Sequence, residues 1–178
     1  MTLEHSFQAL QRLGAGDFAH LDGSLIDHLS GTHRLLLAWG ARPALADAGL
    51  FHAAYGTAGF DQALVGPDGR ARIAELIGAE AEAIVYHYCA CDRDQTWPRI
   101  GREAPVPFSD RFTGSTFPLA AGLLGDFCEL TVANELEIAI RDAAFVARHG
   151  AELGELFVRF TPFISAGARS AVRQLLAV

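Results

Sequence analysis

Lysine is absent from the sequence: all 14 basic residues are arginines, scattered between Arg12 and Arg173. A nucleic-acid binder needs a basic stripe to neutralise phosphates. A chain of net charge -7 without such a stripe is not expected to bind nucleic acid. Cysteine is scarce too, with only Cys89, Cys91 and Cys128. The first two are spaced C-x-C and no second pair follows, which does not fit a zinc knuckle. An odd, small number of thiols suits a reducing compartment, so a cytoplasmic setting is expected. Long apolar runs are also missing. No stretch reaches the roughly 18 residues of a membrane span, and Met1–Gly14 lacks the basic start and apolar stretch of a secretory signal. Internal repeats, low-complexity linkers and convincing strand periodicity are absent as well.

What remains is a 178-residue chain, 51% hydrophobic and 20% charged, a size that suits one globular domain over residues 1–178. Phe7, Leu10 and Leu13 recur at helical spacing within Leu3–Leu13. Ser24 is a candidate N-cap for a second helix, which Gly40 closes, and Pro43 suits the first turn of a third. Residues 56–69 are rich in glycine and read as a loop. Arg70–Ile77 and Ala79–Asp94 read as helices. Four prolines between Gln95 and Pro118 mark a long loop, with a small hairpin through Arg111–Phe117. Leu119–Arg148 reads as one long helix ended by Gly150, followed by Ala151–Phe160 and Ser165–Leu176, split by Pro162. The expected fold is an all-α, single-domain helical bundle. A long proline-containing loop precedes its long C-terminal helices.

The informative stretch runs from His20 through Asp27 and His28 to His52 and Tyr55. His28 lies inside the second helix, and His52 lies near the end of the third, 24 residues later. Helices joined by the short turn at Gly40–Pro43 pack antiparallel, which sets the two imidazoles at similar heights. Facing inward, they could share one divalent ion such as zinc, iron or manganese. The competing reading is two separate histidines, each satisfied in the core or at the surface. Against it, an imidazole is costly to bury without a partner, and Gly49 and Gly56 flank His52 as if space or close packing were needed. Asp92 is the expected carboxylate ligand, since an acid at a helix C-terminus opposes the helix dipole unless a cation is near. His20 could reach the same pocket. It joins Asp27, Tyr55 and Arg93 in the candidate catalytic set. Phe51, Tyr86, Tyr88, Glu129 and Asn134 are the candidate substrate contacts. Asn134 shares a helix face with Glu137, either as a solvated stripe or as support for metal ligands.

The order His28, then Leu-Phe-His52, then Asp92 resembles the HD-domain superfamily of helical metalloproteins, whose ligands run His, His-Asp, Asp. The phrases around His28, around His52 and at Cys128–Glu137 are similar to an uncharacterised bacterial family of small HD-like proteins. The resemblance implies an HD-like fold and a metal site at His28, His52 and Asp92. Ala53 stands where the superfamily has its paired aspartate, which puts a dinuclear site in doubt. Three functions stay open. One is a metal-dependent hydrolase of a small metabolite, phosphorylated or not, with Arg34 or Arg93 as an anion contact. The second is a mononuclear non-haem iron oxygenase of a small organic substrate. The third is a small-molecule binder without catalysis. The expected partners are a small-molecule substrate and, as the candidate oligomer, a homodimer, with neither nucleic acid nor membrane.

Overall fold

A computed structural model describes residues 3–15, 19–20, 23–60 and 62–176. Its helices are α1 (Leu3–Arg12), α2 (Leu25–Ala38), α3 (Pro43–Phe51), α4 (Arg70–Ile77), α5 (Ala79–Ala90), α6 (Arg93–Thr96), α7 (Ala121–Arg141), α8 (Ala143–Phe160) and α9 (Ala166–Leu176). Two short antiparallel pairs accompany them. Strand β1 (Ala19–His20) pairs with β2 (Gly23–Ser24), and β3 (Pro107–Ser109) pairs with β4 (Thr116–Pro118). The fold is all-α, as the apolar spacing predicts.

The α2–α3 hairpin is set by local chemistry. Ser24 and Asp27 form a capping box: Asp27 N–H donates to Ser24 Oγ at 3.3 Å, and Ser24 N–H donates to Asp27 Oδ2 at 3.3 Å. At the other end Gly40 takes φ +79°. Ala41 N–H reaches Leu36 O and Gly40 N–H reaches Leu37 O, both at 3.0 Å, which closes the helix in a Schellman motif. Pro43 then opens α3. The two helices approach so closely that a Cβ on Gly49 would stand 2.4 Å from Leu36 Cδ1.

Helix α7 is the central post. Every residue from Phe127 to Glu137 is buried, so neighbours cover it on all sides. Leu29, Leu36, Leu50, Phe51, Val85, Phe127 and Leu130 belong to the surrounding core. Such burial stabilises by about 1.5–3 kcal/mol per large apolar side chain. Among the described residues, no helix is long and apolar enough to cross a membrane.

Three boundaries differ from the expectation. Helix α5 stops at Ala90, because Cys91 turns extended and bridges to Asp110. The long helix expected to end before Gly150 breaks earlier, at Asp142. There the Asp142 side chain accepts the N–H groups of Ala144 and Phe145 (2.8 and 3.1 Å) and caps α8, which runs through Gly150. The hairpin uses Pro107–Ser109 as its first strand, with the Arg111–Gly114 region as its turn.

Candidate functional site

His28 sits in the second turn of α2 and is 3% exposed; His52 is the C-cap of α3 and is 2% exposed. Their Nε2 atoms lie 3.2 Å apart. The third member comes from α7: Asn134 Oδ1 lies 3.0 Å from His28 Nε2.

The outer partners fix the ring tautomers. His52 Nδ1 lies 2.7 Å from the carbonyl oxygen of Gly49, a pure acceptor, so this nitrogen carries a proton. His28 Nδ1 faces Glu137 Oε2 at 2.5 Å and is protonated for the same reason. Asn134 Nδ2 donates to Glu135 Oε1 at 3.0 Å, which turns the amide oxygen towards His28. His28 Nε2, His52 Nε2 and the Asn134 amide oxygen therefore meet at 3.0–3.2 Å, a spacing that one proton on His28 Nε2 satisfies and that a metal ion could also bridge.

The supporting shell is buried and charged. Burial pushes the Glu137 carboxyl up, but the hydrogen bonds and charges of His28 and Arg141 outweigh it and leave the group below its ordinary value. Arg141 Nη1 donates to Glu137 Oε1 at 3.1 Å. Gly31 makes room for this acid, since a Cβ there would lie 2.5 Å from Glu137 Oε1. Arg93 donates to Glu135 at 3.1 Å and to the Tyr88 hydroxyl at 3.2 Å. The Tyr88 ring stands edge-on to His52, with centroids 5.4 Å apart. A cavity of about 210 Å³ holds both histidines, Ala53, Arg93, Asn134 and Glu135 in its wall.

The structure thus brings together His28, His52, Asn134, Arg93 and Tyr88. Several other expected residues are placed elsewhere. Asp92 is the N-cap of α6, with Oδ1 accepting from Gln95 N–H (3.1 Å) and Oδ2 from Gln95 Nε2 (2.8 Å). It is absent from the cavity wall, and among the described residues no three His, Cys, Asp or Glu side chains are grouped to hold a metal ion. Its acid follows the end of α5 and opens the next helix, so the dipole favours it there. Asp27 is exposed, and its bonds to Ser24 hold its carboxyl below the usual range. It caps α2 instead of facing the cavity.

Tyr55 donates to Glu82 Oε1 at 2.9 Å, beside the Arg70–Glu82 ion pair, and burial pushes its phenol far up. Tyr86 donates to Asp110 Oδ2 at 2.9 Å under the Arg70 guanidinium, which lies 3.8 Å from the ring centroid. Phe51 is fully buried core. Glu129 clamps the start of α9, accepting from Ser165 N–H at 2.7 Å and Oγ at 2.6 Å. The backbone of His20 pairs with Gly23; its side chain lies outside the described residues.

Of the two readings open for Glu137, solvated stripe or support for the histidines, its contact with His28 Nδ1 fits the second, while Glu135 is outside the expected contacts. Spacing does put Glu137 on the face of Asn134, but nothing in the sequence says that α7 is wrapped on every side.

A family model described as a domain of unknown function (DUF6817) matches residues 9–93. The match takes in both histidines and stops short of α7. It makes this part of the chain similar to an uncharacterised family. No curated protein and no solved structure matches the chain.

Proposed function

We propose that the chain is a metal-dependent hydrolase whose mononuclear site is formed by His28, His52 and Asn134, acting on a small, anionic metabolite in the cytoplasm. The observation that carries this reading is the 3.2 Å separation of the two Nε2 atoms, each ring held from behind by an acceptor. Two nitrogens about 2.0–2.1 Å from a tetrahedral ion stand about 3.3 Å apart. Ring nitrogens anchored on a carboxylate and a backbone carbonyl are the usual outer support of histidine ligands. The order of His28 and His52 on adjacent helices, as in the HD superfamily, adds to it.

A divalent ion held there would supply Lewis-acid activation of water near neutral pH. The protein groups would do the rest. Glu137 keeps His28 in the tautomer that presents Nε2. Glu135 lines the cavity with its Oε1 tied to Asn134 and Arg93, and its second oxygen is the candidate proton acceptor. Arg93 offers an anion contact at the cavity wall. The oxygenase reading is less well supported, because a facial triad takes a carboxylate as third donor and the third donor here is an amide.

The binder reading rests on Ala53 and Asn134. One proton on His28 Nε2 would satisfy the same three acceptors and leave an imidazolium on Glu137. The test is metal analysis of protein purified without chelator. Titration with zinc, manganese and ferrous ions follows, then hydrolysis of nitrophenyl phosphate and nitrophenyl acetate by the loaded protein. About one ion per chain, lost in His52→Ala together with turnover, supports the hydrolase. If no ion binds stoichiometrically, the binder stands.

A further inference from the structure

A second and larger cavity, about 720 Å³, lies between the Asp94–Arg102 segment and α8. It shares Gly59, Arg93, Glu135 and Phe145 with the wall of the dihistidine cavity, so the two are adjoining lobes. Its size falls in the range of small-molecule sites, about 300–1,000 Å³. Gly101 lets its two sides meet: with φ +77° it presses on α8 where a Cβ would lie 2.8 Å from the Arg159 carbonyl oxygen.

Two buried N–H donors in the wall of this lobe lack a hydrogen-bond partner, Trp97 Nε1 and Arg159 Nε. Leaving such a donor unmade costs stability, and native proteins keep few of them. The indole is held in place, since Arg93 stacks on its face with Cζ 4.7 Å from the centroid. Arg159 is anchored by one bond, from Nη1 to Glu155 O at 3.2 Å. Arg102 also lines the lobe, and among the described residues it makes no ion pair.

The acids of the wall do not supply the missing acceptor. Glu135 already accepts from Arg93 and Asn134, while Asp94 and Glu152 are exposed. Phe145, Leu153 and Leu156 give the wall its apolar part, beside the imidazole of His149.

We infer that this lobe binds the body of the substrate, an amphipathic organic oxyanion. Its flat apolar part lies against Trp97, Phe145 and Leu156. Its carboxylate or phosphate accepts from Trp97 Nε1 and the guanidinium of Arg159. The remainder reaches past Arg93 towards His28 and His52. This rests on the hydrolase reading for the word substrate, but the binding itself needs no metal.

The test is isothermal titration calorimetry on chelator-treated full-length protein. The probes are 1-naphthyl phosphate, 1-naphthoate, 1-naphthol and inorganic phosphate. At least one aromatic anion is expected to bind one to one, at least tenfold more tightly than 1-naphthol and than inorganic phosphate. The stronger of the two anions identifies the headgroup. Trp97→Phe keeps a ring and removes the N–H, and Arg159→Gln removes the charge; each is expected to weaken the anion at least tenfold, Arg159→Gln with 1-naphthol unchanged and Trp97→Phe with a clearly smaller loss for 1-naphthol than for the anion. Equal binding of 1-naphthol, no binding of either anion, or anion binding indifferent to the substitutions overturns the inference. If Trp97→Phe does not fold by circular dichroism, Arg159→Gln and Arg102→Gln decide. Metal uptake, measured separately, reports on the hydrolase reading alone.

Discussion

Glu137 Oε2 stands 2.5 Å from His28 Nδ1, and the other oxygen of the same carboxylate accepts from Arg141 at 3.1 Å. One acid on α7 thereby fixes the ring orientation of a histidine on α2. If that histidine is a ligand, weakening its outer partner weakens the ion. Glu137→Gln should lower metal affinity about 10–100-fold while the protein stays folded, as for other outer partners of histidine ligands. Calorimetric titration with zinc measures it, and unchanged affinity would count against His28 as a ligand.

The same carboxylate gives a pH dependence of known sign. Its folded-state value lies below the ordinary one. The stabilisation from its ionised form is therefore complete above the ordinary glutamate value, about 4.3. It is lost as pH falls through the lower folded value. The stability gap between wild type and Glu137→Gln, from urea denaturation, should narrow as pH falls below about 4.3. A gap that widens in acid would reverse the assigned sign.

Gly31 is the clearance for that acid. Alanine there would gain about 1 kcal/mol of helix propensity, but its Cβ would stand 2.5 Å from Oε1 and 2.6 Å from Cγ of Glu137. Overpacking of this kind costs about 1–3 kcal/mol. Gly31→Ala should be neutral to mildly destabilising by thermal melt, and should weaken metal binding because Glu137 must shift. A variant that binds zinc like the wild type would show that Glu137 can move without disturbing His28.

Asp92 gives the complementary test. Both of its oxygens are on Gln95, so Asp92→Ala should cost about 1 kcal/mol as a lost N-cap and leave metal stoichiometry unchanged. A lost ion in Asp92→Ala would restore this residue to the ligand set.

All three thiols are buried and held from reaction. Burial pushes Cys89 and Cys91 up to about 12, and Cys128 is raised as well. The Cys89 thiol also donates to the His52 carbonyl at 3.0 Å. Since the thiolate is the reactive form, Ellman's reagent at pH 8 should find no fast thiol in native protein and three after denaturation. A fast native thiol would mean that one of these pockets opens readily.

Much of the helical order is written locally. Ser24, Gly40 and Pro43 announce the α2–α3 hairpin by their capping chemistry, and that hairpin is what brings His28 to His52. Asp92 shows the limit of such reading. The same residue suits an acid-ended helix or the cap of the next one, and only the extended turn at Cys91 decides between them. Asp142 is the same case, a cap inside an unbroken apolar pattern. Glu135, and the choice between the two readings of Glu137, are harder still. Both acids sit in a segment where acids alternate with apolar residues, as on a solvated helix, and their burial depends on helices far along the chain closing over α7. Tyr55, Tyr86 and Phe51 have the composition of a pocket, but their contacts are ordinary core and ion-pair packing.

The segment matched by the uncharacterised family ends at residue 93, while Asn134, Glu135 and Glu137 all come from α7. A fragment cut near that point would carry both imidazoles with nothing behind His28 and without the helix that fills the centre of the bundle. A ligand held by both helices and α7 would therefore be linked to the folding of the whole chain. Any occupant of the dihistidine cavity should raise the melting temperature of the whole chain, by an amount set by its concentration relative to its Kd.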